Sequence, residues 1–404
     1  MPQKYGSLKG LTDLINMSKG VATLIILFFW LCVFCSLYSY FLYPLLLLIG
    51  VKKYAKASVI TNPRTDHLLN YSLIVTAYNE AQRIEEKIIN LLALEFDPAR
   101  LELIIASDCS DDGTDALVAS FSDRGIVLVR APQRLGKENA QWSAIQRATG
   151  DVLVFSDVAT LMQVDAIEKL DRHFQRGDVG AVSSEDRFVG TQGAVAGEGF
   201  YVRYEMWLRR QESRLGGLVG LSGSFFAARR DLCRQWDIHS PSDFNTALNC
   251  ARAGLQSISA PDVLGFYADL KDPSKEYARK VRTVLRGMTG LSRHPEVLNV
   301  SRFGFYAVQV FSHKLMRWAV PWFLLALLLV SASLAGVGGF YRLALIGQIL
   351  FYATAGLAHL SERMRALAPI RLIYFFVQVN LALMDSALKF FSGTRMTTWK
   401  PSAR

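Results

Sequence analysis

The chain has 404 residues, 51% of them hydrophobic, with 45 Lys and Arg against 35 Asp and Glu and a formal charge of +10. That length holds one α/β catalytic domain plus membrane segments, and the apolar excess gathers at the two ends, which excludes a uniformly soluble chain. The basic surplus flanks apolar segments and lacks the aromatic interleaving of an RNA-binding sheet, so an anionic membrane face is the expected partner and nucleic acid is not.

Residues 1–20 form an N-terminal tail carrying Lys4, Lys9 and Lys19, offset by Asp13. The next stretch, 21–50, is almost free of polar side chains and exceeds the roughly 20 residues a crossing needs. It is too long for a signal peptide, and no small-residue cleavage site follows. Cys32 and Cys35 form a CxxC within this run, where helix packing is the expected role. Cys109, Cys233 and Cys250 are dispersed, and nothing suggests a disulfide framework. Lys52, Lys53, Lys56 and Arg64 in the linker 51–70 place the C-terminal side of the first span in the cytoplasm.

From residue 71 to about 291 the pattern is that of an α/β domain. Short β-rich runs are expected at 72–76, 101–106, 126–129 and 152–155. Between them lie helical stretches, with Ile84, Ile88, Leu91 and Leu92 at helical spacing, then 116–121 and 140–148. This alternation predicts a Rossmann-like, mostly parallel sheet covered on both faces. Such sheets bind ligands at the carboxyl ends of their strands.

The region 301–318 mixes aromatics with His313, Lys314 and Arg317 and reads as an interfacial helix. A C-terminal membrane region follows at 319–391. It has spans expected at 321–337 and 343–360 and a third candidate at 370–391 that carries Arg371, Gln378, Asn380, Asp385 and Lys389. Three C-terminal crossings would leave the tail 392–404 outside, whereas Arg395, Lys400 and Arg404 favour the cytoplasm. The sequence leaves two or three spans open.

Chemistry-bearing residues cluster where strands end. Thr76-Ala77-Tyr78-Asn79-Glu80 closes the first strand, and Ser107-Asp108-Cys109-Ser110-Asp111-Asp112-Gly113-Thr114-Asp115 closes the second. Helix capping accounts for some of these acids, but not for two consecutive strands ending in polar loops on one edge. Gly136-Lys137 precedes a helix, either as a turn with a solvated Lys or as a cation near a diphosphate. Asp157 ends the fourth strand after an apolar run and is a candidate hard-metal ligand, since Mg²⁺ takes one or two carboxylates plus phosphate oxygens.

The ordered set of Tyr-Asn-Glu, Ser-Asp-x-Ser-x-Asp-Gly-Thr, Gly-Lys and a strand-terminal Asp resembles family 2 glycosyltransferases with the GT-A fold, over residues 71–300. The resemblance implies that Tyr78 and Glu80 line the nucleotide pocket, that Asp108 contacts the base (usually uracil), and that Lys137 lies near the donor. It makes Asp157 the first Asp of Asp-x-Asp, holding Mg²⁺ or Mn²⁺, while Ala159 departs from the second acid. Gly220 to Arg230 resembles the acceptor-side glycine loop, with Gly223 and Ser224 at its centre, or a plain Gly-rich turn.

Ser242-Asp243 stands where the family carries two acids. The resemblance makes Asp243 the general base, and an N-cap for the following helix is compatible with that. On the basic helix 274–291, Arg279 and Arg282 fall in a weakened Gln-x-x-Arg-Trp element, with Arg279 for Gln and Thr283 for Trp. They bind diphosphate on that reading and anionic lipid on the other.

An inverting transfer needs one base, which takes the acceptor proton as its oxygen attacks the anomeric carbon. The first functional reading is a single-sugar transferase acting from a nucleotide diphosphate sugar, UDP by expectation, on a lipid-linked or glycan acceptor at the cell membrane, with the catalytic domain cytoplasmic. The second is a processive polysaccharide synthase. The third, of another class, is an inactive transferase-like membrane scaffold, which Ala159 and Ser242 would favour.

Overall fold

The computed structural model describes residues 6–54, 68–189, 200–268 and 273–396. Lys56, Arg64, the glycines between 193 and 199, and the tail residues Lys400 and Arg404 lie outside the described residues. The chain divides into two compact units, Met1–Tyr43 with Ser312–Leu388, and Pro44–Phe311 with Lys389–Arg404.

Helix α1 (Gly6–Leu37), in the first unit, continues through a π turn at Tyr38–Leu42 into α2 (Tyr43–Tyr54), which belongs to the second unit from Pro44 on. Among the described residues four helical runs are long and apolar enough to cross a membrane: Gly20–Lys53, Phe305–Leu334, Gly339–Leu360 and Ala368–Phe391. Their outward faces carry Leu24, Leu27, Trp30, Leu343 and Leu350, all exposed, as a helix in lipid requires and a water-facing helix avoids. Cys32 and Cys35 are buried and free. The region expected to lie along the interface and the span after it form one helical run, with a π turn at Phe311–Leu315 and Pro321 inside the helix that follows.

The second unit is the α/β domain. Among the described residues its sheet has eight strands: β1 (Tyr71–Ala77), β2 (Leu101–Ser107), β3 (Ile126–Arg130), β4 (Val152–Asp157), β5 (Leu161–Met162), β6 (Val179–Val189), β7 (Phe225–Arg229) and β8 (Gln256–Ala268). Their order is β3-β2-β1-β4-β7-β6-β8-β5. The unit's helices include α3 (Ile84–Leu92), α4 (Thr114–Ala119), α5 (Lys137–Arg147), α6 (Ala166–Phe174), α7 (Phe200–Ser213), α8 (Ser242–Arg252) and α9 (Pro273–Arg293).

All seven residues of β1 are buried, as expected of a parallel strand covered on both faces. Successive side chains alternate between two apolar layers. Leu73, Val75 and Ala77 pack with Ile84, Ile88, Leu170 and Phe174 from α3 and α6. Ile74, Ile104 and Phe155 pack with Ala140, Ala144 and Ala247 from α5 and α8.

The pairing is mostly parallel, as expected, with β6 also parallel to β8, but the sheet is mixed and not a clean Rossmann sheet. β1 to β4 are parallel neighbours, but β7 runs antiparallel to both β4 and β6, and β5 antiparallel to β8. Parallel pairing needs a crossover that returns the chain to the opposite sheet edge. Here the glycine-containing stretch before β7 delivers the chain to the edge where β4 ends, so Phe225 pairs with Ser156 and Arg229 with Val152. The start of β7 therefore faces the end of β4, and this places a loop beside Asp157.

Candidate active site

The loops after β1 and β2 are bonded to each other. The Asn79 amide donates to Ser110 Oγ (3.1 Å), the Glu80 amide to Thr114 Oγ1 (2.9 Å), and the Ala81 amide to Asp112 Oδ2 (3.0 Å). Asp112 also accepts from the Thr114 amide, the capping role that sequence allows it. Its carboxyl is lowered: burial pushes it up, but the Thr114 hydroxyl and the backbone amides outweigh that. Tyr78 is half-buried, and the Arg134 guanidinium lies over its ring at 3.8 Å.

The start of α5 ties three acidic stretches together through three consecutive residues. The Gly136 amide donates to Asp108 Oδ1 at 3.1 Å. Lys137 Nζ donates to Asp157 Oδ1 at 2.5 Å and to the Gly223 carbonyl at 2.8 Å. Glu138 Oε1 accepts from the Ser242 amide at 3.3 Å, next to Asp243. The Asp243 carboxylate in turn lies against Gly223, where an added Cβ would sit 3.1 Å from Oδ2. Asp108, Asp157 and Asp243, read from separate stretches of sequence, are thus joined within one cluster.

Asp108 is fully buried, and among the described residues its Oδ2 has no hydrogen-bond partner. Burial raises its carboxyl above the ordinary value, against the Gly136 amide and the Arg134 charge. An orphan polar atom of this kind calls for a partner from outside the chain.

Ser224 brings a further carboxylate in. Its carbonyl accepts from the Asp157 amide at 2.9 Å, and its hydroxyl, like that of Ser222, donates to Asp186. Desolvation raises the Asp186 carboxyl, the serine hydroxyls oppose this, and Asp157 adds to it.

On α9, Arg282 is half-buried and Arg279 exposed. Burial and the neighbouring Arg286 and Arg279 charges lower Arg282, while Asp157 and Glu138 act in the opposite direction. Arg282 therefore lies within electrostatic reach of the cluster. Arg286, one turn further on, pairs with Glu138 at 2.5 Å.

Four contributors fell outside the sequence-predicted set: Glu138, Asp186, Arg134 and Lys87. Lys87 is fully buried on α3, donating to Ser156 Oγ (2.9 Å) and to the Thr160 carbonyl, on either side of Asp157. A charged residue beside Ile84, Ile88 and Leu91 on a helix face was a readable signal. The others act through contacts between distant segments and leave none.

As a cation site the donor set is sparse. Asp157 already holds the Lys137 ammonium, Ala159 supplies no ligand, and among the described residues no group of three or more His, Cys, Asp or Glu could hold a metal ion. A hard cation taking its remaining oxygens from phosphate and water fits a single carboxylate.

Residues 72–236 match the profile described as "Glycosyl transferase family 2". The sequence is 26% identical over 165 residues to the poly-β-1,6-N-acetyl-D-glucosamine synthase of Staphylococcus aureus, covering 40% of this chain and 39% of the synthase. It is 31% identical over 99 residues to the uncharacterized glycosyltransferase YfnE of Bacillus subtilis, covering 24% and 25%. The chain thus spans about four tenths of the synthase, and less of YfnE. Among solved structures, the mannosyltransferase PcManGT of Pyrobaculum calidifontis, in complex with GDP-Man and Mn²⁺, superposes with a TM-score of 0.69 at 21% identity, over 92% of this chain and 100% of that one.

The α/β unit therefore has a GT-A-like fold in which the sheet is mixed. Residues 72–236 are thus similar to family 2 glycosyl transferases, and long apolar helices accompany them.

Proposed function

We propose that this chain is an inverting, membrane-embedded glycosyltransferase that moves a sugar from a nucleoside diphosphate sugar, with Asp243 as the base. The observation that carries the reading is the start of α5. Gly136, Lys137 and Glu138 join the Asp108, Asp157 and Asp243 stretches in sequence, so nucleobase pocket, diphosphate site and base lie in line along one segment. Asp108, with an unpartnered buried oxygen, suits a uracil edge and favours UDP. Tyr78 and Glu80 flank that pocket.

Asp157 would hold a divalent cation, whose chemistry is to offset charge on the leaving diphosphate. Lys137 and Arg282 add positive charge at the same place, as fixed donors toward phosphate oxygens. Gly223 and Ser224 leave room beside Asp243 for the acceptor, because an ionised carboxylate in hydrogen-bond reach of a hydroxyl can take its proton as that oxygen attacks. Arg279, exposed one turn from Arg282, fits lipid or the outer diphosphate edge.

Repeated addition is the second reading, and the likeness to poly-β-1,6-N-acetyl-D-glucosamine synthases supports it over single addition. Thr283 in place of the aromatic of the Gln-x-x-Arg-Trp element weighs the other way. The basic residues after the first span support a cytoplasmic catalytic domain.

Asp243→Asn is expected to reduce transfer by about 10²-fold or more while UDP affinity stays within twofold. Wild-type turnover by that variant would remove Asp243 from the base role. Product length on a gel separates the two modes of addition, since a ladder signals repeated transfer.

A further inference from the structure

We propose that Glu138 is a positioning residue for Asp243: it supplies through space the acid missing at position 242 and holds the Arg286 guanidinium away from the base. The inference rests on the assignment of Asp243 as the base.

Ser242 opens α8, and the first amides of a helix lack partners within it. A negative group there is stabilising. The side chain at position 242 is a neutral hydroxyl, but the Ser242 amide is met by Glu138 Oε1 at 3.3 Å, from a residue 104 positions earlier. Glu138 is 2% exposed, so its charge is costly unless compensated. Arg286 compensates it from α9 at 2.5 Å. The Trp236 indole fixes the same residue from behind, donating to the Glu138 carbonyl at 3.0 Å.

The pair has a single contact. Glu138 Oε2 and Arg286 Nε are both buried without hydrogen-bond partners among the described residues. Arg286 also lies in the field of a second carboxylate. Burial works against its charge, but Glu138, the hydrogen bond to it, and then Asp243 raise the guanidinium above its ordinary value. Two carboxylates therefore compete for one buried cation, and Glu138 holds it. With Glu138 neutral, Arg286 has Asp243 as its remaining anionic partner. Asp243 would then be locked in an ion pair and withdrawn from the acceptor proton. Nothing in this argument requires Glu138 to touch either substrate.

The test uses the full-length protein in detergent, with nucleoside diphosphate release from a panel of UDP-glucose, UDP-N-acetylglucosamine and GDP-mannose as the turnover readout and UDP binding by calorimetry. Glu138→Gln is expected to lower kcat by about 10²-fold with UDP affinity within twofold. Adding Arg286→Met to it removes the competing cation, and kcat is expected to recover at least tenfold. A purely structural role for Glu138 would lower UDP affinity and thermal stability together with kcat in Glu138→Gln, because the unpaired buried guanidinium would then disturb the whole fold around it.

Glu138→Gln with wild-type kcat, loss of UDP affinity in parallel with kcat, or no recovery in the double variant would each overturn the proposal. Should Glu138→Gln alone fail to fold, the neutral pair Glu138→Gln/Arg286→Met decides: kcat within tenfold of wild type supports the proposal, and a loss beyond 100-fold defeats it. Asp243→Asn run alongside separates the two levels. If that variant retains turnover, the base assignment itself is wrong. If it is inactive while Glu138→Gln is normal, only the positioning role fails.

Discussion

Lys87 shows how one side chain links the core to the site. It lies on the apolar face of α3 and is fully buried, with its ammonium bonded to Ser156 and to the Thr160 carbonyl. Burial pushes it down to about 7, with Asp157 acting in the opposite direction. A lysine whose folded-state value lies below its unfolded value penalises the fold when protonated. The penalty is complete below about pH 7, falls as pH rises through the window toward 10.5, and is gone above it. Stability from this group should therefore climb with pH at ~1.4 kcal/mol per unit within the window. Thermal melts between pH 6.5 and 9.5 should show that climb in the wild type and a flatter profile in Lys87→Met. Equal slopes would mean that Lys87 is not the titrating group.

Gly223 makes the complementary case at the same scale. A methyl group there would stand 3.1 Å from Asp243 Oδ2, tight enough that the carboxylate must shift. Misplacement of a base by about 1 Å can cost about 10²-fold in rate, and a smaller shift costs less. Gly223→Ala should lower kcat by about tenfold or more while UDP affinity is retained. Unchanged kcat would show that the carboxylate has slack.

At the scale of elements, legibility followed from how local the determinant is. Strands β1 to β4 were readable because unbroken runs such as Leu73-Ile74-Val75 suit strands buried on both faces. The direction of β7 was not, since Phe-Phe-Ala-Ala-Arg reads the same whichever way it enters the sheet. Its antiparallel entry is a property of the chain's route to β4, and it is what sets Gly223 and Ser224 beside Asp157. Likewise Lys137 was readable from Gly-Lys before a helix, whereas its neighbour Glu138 depends on Ser242 and Arg286, which are distant in sequence.

The start of α5 carries its own prediction. Gly136 has φ +110°, a conformation that L side chains rarely adopt, and its amide meets Asp108. Gly136→Ala should cost about 1–3 kcal/mol in stability and weaken UDP binding, because the Asp108 contact and the Lys137 placement both start from that turn. Calorimetry showing wild-type UDP affinity would mean that the loop does not frame the donor pocket.

For the whole molecule, the open question from sequence was the number of C-terminal crossings. Among the described residues three helices there are long and apolar enough, and a fourth such run lies near the N-terminus. If all four cross, sides alternate along the chain, and charge tests the parity. The connection between Leu334 and Gly339 carries no charge, whereas the segment after Leu360 carries Arg363, Arg365 and Arg371 against Glu362. A basic short connection belongs in the cytoplasm. Four crossings put that segment on the same side as the residues following the first span, which are also basic. Lys4, Lys9 and Lys19 before the first span, and Arg395 and the residues after it, run against the rule. The first span and its basic flank usually dominate orientation.

Single cysteines at exposed positions test this, in a Cys109→Ser background where the remaining cysteines are buried. Ser120→Cys and Glu362→Cys should resist a membrane-impermeant maleimide on intact cells and react after permeabilisation, whereas Ser392→Cys should react at once. If Ser392→Cys is protected along with the other two, the last helix does not cross. If Ser120→Cys reacts on intact cells, the domain faces outward, away from the cytoplasmic pool of sugar nucleotides, and the proposed reaction would lack its donor.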